Sequence, residues 1–306
     1  MNQIYRVVFN SITGTWQAVS EMARGRSKSS RSARHARAAL TSNALWCARQ
    51  SGLVLVAVLL LCEGAAAADI NLSTASMSYN ISTSGSETVE KFSGVAGSML
   101  TLGTNTLTFG TEADAAFNGV ISGTGALVKQ GNGVQTLSGA NAFSGGVTLN
   151  AGGLVLGNAH ALGSGSLTVG GHATLDTTAS FSLGNRLVVN GSNTLTLQGS
   201  HALTLNGSIS GTGNLIKNGA GTLTLNGASS LTGNFSISSG MVELGASGSL
   251  SPTGAISMGA GTILDLSKAL NQTIGSLAGQ GGSVTLGDRT LTLGGQGNTS
   301  YSGTFT

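Results

Sequence analysis

After residue 68 the chain has no cysteine, no tryptophan, a single proline (Pro252) and only two arginines, Arg186 and Arg289. Without cysteine there is no disulfide framework, no thiolate metal site and no thiol nucleophile. One proline beside 45 glycines among 238 residues fits neither collagen nor a proline-rich linker, although glycine stands at more than twice its usual share of roughly 7%. Positive charge is also scarce. Residues 69–306 hold six basic and nine acidic side chains, so the body has no excess charge with which to grip nucleic acid. The overall pI of about 9.1 belongs to the first 68 residues, where Arg6, Arg24, Arg26, Lys28, Arg31, Arg34, Arg37 and Arg49 face only Glu21 and Glu63.

Leu53–Leu61 (LVLVAVLLL) is an apolar run preceded by Arg49 and followed by Ala65-Ala66-Ala67-Ala68. Nine consecutive apolar residues fall well short of the roughly 20 that span a bilayer. Small residues at Ala66 and Ala68 instead suit the −3 and −1 positions of a signal cleavage site, with Asp69 as the first mature residue. A lipoprotein reading of Leu60-Leu61-Cys62 places a bulky leucine where a small residue is preferred. Upstream, Tyr5, Val8, Ile12, Trp16, Val19 and Ala23 recur at three- and four-residue steps, which predicts an amphipathic helix suited to an anionic membrane surface. Met1-Asn2, Ile4-Tyr5-Arg6-Val7, Asn10, Trp16, Ala18-Val19-Ser20-Glu21, Ala23-Arg24 and Lys28 resemble the extended signal peptide region of Gram-negative type V secretion proteins, with Phe9 where that pattern usually has tryptophan. The resemblance implies a segment that tempers inner-membrane targeting and leaves with the signal. The expected divisions are residues 1–28 for this extension, 29–68 for the signal peptide and 69–306 for the body.

The body repeats itself. GTGALVKQGNGVQTLSG (residues 123–139) returns as GTGNLIKNGAGTLTLNG (residues 211–227), and residues 119–157 align without a gap with residues 207–245, Lys129 on Lys217 and Leu137 on Leu225. A second offset, of 184, matches TLGTNTLTFG (101–110) with TLGDRTLTLG (285–294). A phosphate-binding glycine loop occurs once, between a strand and a helix. These glycines recur with no helical pattern after them, and Val128 and Ile216 stand where a dinucleotide fingerprint needs its third glycine. Alternation follows instead, as in Leu195-Thr196-Leu197 and Leu223-Thr224-Leu225, which predicts short strands with one buried and one wet face.

Leu137, Leu156, Leu175 and Leu197 recur about every 20 residues. A lone short strand cannot bury its apolar face, so like elements must stack on their neighbours. The expected fold is all-β: a right-handed parallel β-helix of three short strands per coil and on the order of ten coils, following a helical or disordered cleaved leader. A β-sandwich is the alternative, but it gives no reason for repeats of this kind. The pattern over Gly123–Gly157 and Gly211–Gly245 resembles the passenger-associated repeat of type V autotransporters, with Phe143 at the aromatic place of the first copy and Leu231 in the second.

Candidate chemistry is sparse. His160, His172 and His201 form no H-x-x-x-H, and there is no H-E-x-x-H, no G-x-S-x-G and no paired acids in one turn. Asp176 and Asp265 occupy like places in Thr174-Leu175-Asp176 and Ile263-Leu264-Asp265, where β-helical polysaccharide lyases carry calcium-binding acids, yet a repeated turn residue needs no ligand. Gly294-Gly295-Gln296-Gly297-Asn298 lacks the aspartate of a calcium nonapeptide. No catalytic, cofactor or metal residues are assigned.

The resemblance implies a surface-exposed or secreted passenger, a structural or adhesive stalk whose repeats aid export and folding. A two-partner exoprotein and, behind it, a β-helical lyase are the alternatives. Implied partners are the Sec machinery and signal peptidase, an outer-membrane barrel with its assembly machinery, and a host or cell-surface ligand, but not nucleic acid. No barrel-like strands with aromatic girdles are found, and Phe305-Thr306 aligns with Ile121-Ser122 one residue before the next Gly-x-Gly is due. This predicts a truncated passenger that cannot complete its own export.

Overall fold

The computed structural model describes residues 69–306, apart from Gln296, together with the backbone of Tyr5–Asn10 and Thr15–Ser20. Those two segments pair as antiparallel strands, Phe9 opposite Trp16, where the three- and four-residue spacing predicts a helix. The same stretch also alternates at period two, through Tyr5, Val7 and Phe9 and then Trp16 and Ala18, and its valine and aromatic side chains favour extended backbone. Residues 21–68, with the rest of the expected leader, lie outside the described residues.

From Ile70 onward, parallel strands of two to five residues wind into a β-solenoid. Its longest sheet has 11 strands, from Ile70–Leu72 to Ser276–Gly279, which recur every 18 to 23 residues. A second face has eight strands, from Glu87–Val89 to Ser229–Leu231, and resumes with Gln272–Ile274 and Leu291–Leu293. The third begins with four strands ending at Ala142–Phe143 and resumes with seven from Phe181–Leu183. All but two of these coils therefore offer three short strands, as expected of a β-helix.

Period-two alternation decides what lies inside. Strand Leu223–Leu225 buries both leucines and turns Thr224 outward, and Leu137, Leu156, Leu175 and Leu197 all face the interior. One inner row runs Gln135, Leu154, Leu175, Leu197, Lys217, Ile237 and Met258, so each apolar side chain covers the one below it. In the first coils the filling is aromatic: Phe92 stacks on Phe117 with centroids 4.2 Å apart and tilts against Phe109 at 5.2 Å. Corners are held by amides. Buried Asn141 accepts the Ile121 N–H at 2.9 Å and donates to the Ala161 carbonyl at 2.7 Å, joining three successive coils.

The two breaks in the faces share one cause. At Asn158–Leu162 and again near Leu250 a turn replaces a strand, and Leu162 and Leu250, 88 residues apart, both point into the core. The loops still stack in line. Asn141 N–H donates to His160 O below the first break, and Leu250 N–H donates to the Gln272 side chain above the second. The unbroken 11-stranded face is the one on which no such repeat end falls.

Candidate functional site

The first described body residue is Asp69, exposed, whose Oδ1 accepts the Lys91 N–H at 2.9 Å. Ile70 directly after it is already buried in the first strand. The expected cleavage residues Ala66 and Ala68 lie outside the described residues, so of the three only Asp69 is placed.

The scattered titratable groups stay apart. His160, His172 and His201 are all exposed, at different turns, and His201 Nδ1 lies 2.8 Å from Thr177 O. Asp176 is on the 11-stranded face and Asp265 on the seven-stranded one, so they do not form a row. Asp176 accepts the Ser200 hydroxyl of the next coil at 2.6 Å, and Asp265 accepts the Ser267 N–H within its own turn at 2.9 Å. Among the described residues no three His, Cys, Asp or Glu side chains converge as a metal site. Tyr79 donates to Glu87 at 2.8 Å, and burial followed by this neighbour pushes its pKa up to about 12.

The groups that stand out are two lysines that the sequence marks only as matched positions. Lys129 and Lys217 are 2% and 1% exposed, unusual for a residue almost never buried without partners. Both end a strand facing inward, Lys129 between Phe109 and Leu149, Lys217 between Leu197 and Ile237. Their stems fill the core while the ammonium groups reach the corner. Lys129 Nζ donates to the carbonyls of Gln130 (2.6 Å), Gly131 (2.8 Å) and, one coil on, Ala151 (3.5 Å). Lys217 Nζ repeats this with Asn218 (3.3 Å), Gly219 (2.6 Å) and Ser239 (3.3 Å). Three donors meet three acceptors in both places. Gly131 and Gly219 turn their carbonyls toward the amine from φ of +66° and +82°, a conformation glycine adopts without steric cost. Burial lowers both lysine pKa values. Glu112 and Asp114 pull Lys129 partly back, and no such carboxylates act on Lys217. The signal that could have revealed this is the doublet Lys-x-Gly at the end of an alternating strand.

This arrangement ties coil to coil. Comparison with known proteins points the same way. Residues 1–48 match the family described as the Extended Signal Peptide of Type V secretion system, which reaches beyond residue 28. Residues 127–156 and 215–244 match the Passenger-associated-transport-repeat, and each match opens two residues before its buried lysine. A 70-residue stretch is 41% identical to the "Adhesin BmaC autotransporter" of Brucella suis biovar 1 (strain 1330) and covers 22% of this chain and 2% of that protein. The chain therefore matches a small fraction of this curated relative's length. No solved structure matches.

Proposed function

We propose, from the premise that this chain is passenger sequence of a type V secretion autotransporter, that it forms part of a surface-exposed adhesive stalk. The observation that carries the reading is the joining, on one chain, of the extended export signal to repeats that fold as a solenoid. The signal delivers the chain to Sec export. Signal peptidase cuts after Ala68 and releases Asp69 next to the first strand, with residues 1–28 and 29–68 leaving together and 69–306 remaining as the solenoid. An outer-membrane barrel and its assembly machinery carry the passenger outward in the full protein. Each coil pairs only with its neighbours, so a strand emerging at the surface has a template in the coil before it and needs no distant contact. The body has no catalytic role in this reading; it spaces and presents a surface to a host or cell-surface ligand.

The test is labelling of intact cells that carry the native gene with antibodies raised against residues 69–306, alongside attachment by a strain in which those codons are deleted in frame. Labelling without permeabilisation and reduced attachment are expected. Label that appears only after the outer membrane is opened would refute surface exposure. N-terminal sequencing of exported material should read Asp-Ile-Asn-Leu, and a retained Cys62 would overturn the cleavage assignment.

A further inference from the structure

On the outside of the 11-stranded face, one row of outward positions runs Val134, Gly153, Thr174 and Thr196. Gly153 brings no side chain to the row and is itself buried, and an open groove of about 520 Å³ passes over it, with His172 and Thr194 also in its lining. That volume is within the few hundred to about 1,000 Å³ typical of ligand sites. The second repeat provides an internal control, since its residue at the matched place is Met241, 88 positions on. The strand of this unit therefore accepts a long side chain there. Gly153 also has no left-handed φ that would require glycine. A Cβ at 153 would meet only side-chain atoms, Thr174 Oγ1 at 2.9 Å and Val134 Cγ2 at 3.0 Å. The backbone thus does not demand glycine here, and a side chain at 153 would have to displace Thr174 or Val134.

We infer that this groove binds a neutral oligosaccharide. The inference rests on the adhesive reading above and names its ligand class. The lining contains no Asp, Glu, Lys or Arg, which disfavours a charged ligand, and its apolar members, Val134 and Ala173, are too small to anchor a peptide side chain. The strands beneath it are paired on both sides, so no open backbone edge is offered for a peptide to extend. What remains is recognition by side chains. The hydroxyls of Thr174, Thr194 and Thr196 and the ring of His172 have no hydrogen-bond partner among the described residues, leaving donors and acceptors spaced at the interval between strands, about 4.8 Å. A sugar ring has hydroxyls to match them.

The test uses the full chain, purified and applied to an array of neutral oligosaccharides, with circular dichroism as the check on folding. Retention of at least one neutral oligosaccharide is expected, abolished in Gly153→Met and weakened at least tenfold in Thr174→Ala/Thr196→Ala, whose small outward changes leave the core alone. Absence of retention by the wild type, or equal retention by both variants, would overturn the inference. Binding of a protein ligand that Gly153→Met blocks, with no oligosaccharide retained, would assign the groove to a protein and overturn it equally. Array retention does not depend on surface display, so a cell that fails to display the passenger can refute the adhesive stalk while leaving the groove to be judged by the array alone.

Discussion

Residues 123–157 and 211–245 share a sequence pattern but do not sit on the same face of the solenoid. Ile121 belongs to the four-stranded sheet, whereas its counterpart Ile209 lies in the eight-stranded one, on a ladder that descends through Leu187, Leu167 and Val147 to Leu127. Lys129 and Lys217 differ in the same way, the first on the eight-stranded face and the second on the 11-stranded one. The unit of 88 residues is four coils and one further face, so the second copy is turned by a third of a coil. Every strand pair, lysine cage and loop nevertheless survives the turn. The repeat thus specifies local stacking, inside against outside and coil against next coil, and is indifferent to which face it occupies.

If the copies are equivalent, equivalent damage should cost the same. The largest expected effect is Leu225→Asp, which places a carboxylate among Leu205, Leu223 and Leu244 and should cost on the order of several kcal/mol, or open the stack locally. Leu137→Asp in the first copy should match it, while Thr224→Asp, outside, should be within about 0.5 kcal/mol of wild type. Limited proteolysis and urea unfolding would read all three. Comparable loss of protection in Thr224→Asp would show that the assignment of the faces is wrong.

Next come the lysines. Lys217→Met keeps an unbranched stem in the core but leaves the carbonyls of Asn218, Gly219 and Ser239 without their donor. Unsatisfied buried acceptors cost about 1–3 kcal/mol, and the same range is expected for Lys129→Met. An unchanged urea midpoint in both variants would mean that water serves these carbonyls as well as the amine does.

The copies differ at the aromatic place, and a smaller effect should follow. Phe143 is fully buried, whereas Leu231 lines a cavity of about 20 Å³ beside Phe235 and Leu250. The exchange looks neutral in the sequence because either side chain can face inward, but the structure shows that leucine leaves space unfilled. At about 24 cal/mol per Å³, Leu231→Phe should recover about 0.5 kcal/mol, and Phe143→Leu should lose about 1 kcal/mol. Destabilisation by Leu231→Phe would show that the neighbouring loop near Leu250 has already closed on the smaller residue.

What could be read from the sequence follows the same division between local and global. Alternation in Leu223-Thr224-Leu225 fixes which side is buried, and glycine punctuation fixes where strands stop. Neither says which of three faces a strand joins. The 88-residue offset is also four coils of 22, and only the strandless turns at Asn158–Leu162 and near Leu250, which use chain without adding a strand, resolve it otherwise. The lysine cages were hidden because lysine ordinarily keeps its ammonium in water. In the leader, two periodicities overlap on Tyr5 and Trp16, and pairing between the two segments favours the extended one.

The smallest expected difference separates the lysines by their neighbours. Burial holds both ammonium groups below the ordinary lysine value of 10.5. The unfolded chain therefore binds more protons than the folded one between the lowered values and 10.5, and stability should rise with pH across that window. Tyr79 acts in the opposite sense only above pH 10, because the folded state keeps its proton up to about 12, so the lysine slope is to be read below pH 10. Glu112 and Asp114 offset part of the burial at Lys129 and are absent at Lys217. Lys217→Met should therefore flatten the rise in urea midpoint below pH 10 more than Lys129→Met does. A wild-type midpoint that falls with pH over this range, or a larger flattening in Lys129→Met, would overturn this ordering, and equal flattening in the two variants would show that the cages are not distinguished by these carboxylates. The equivalence of the copies would then extend to their electrostatics.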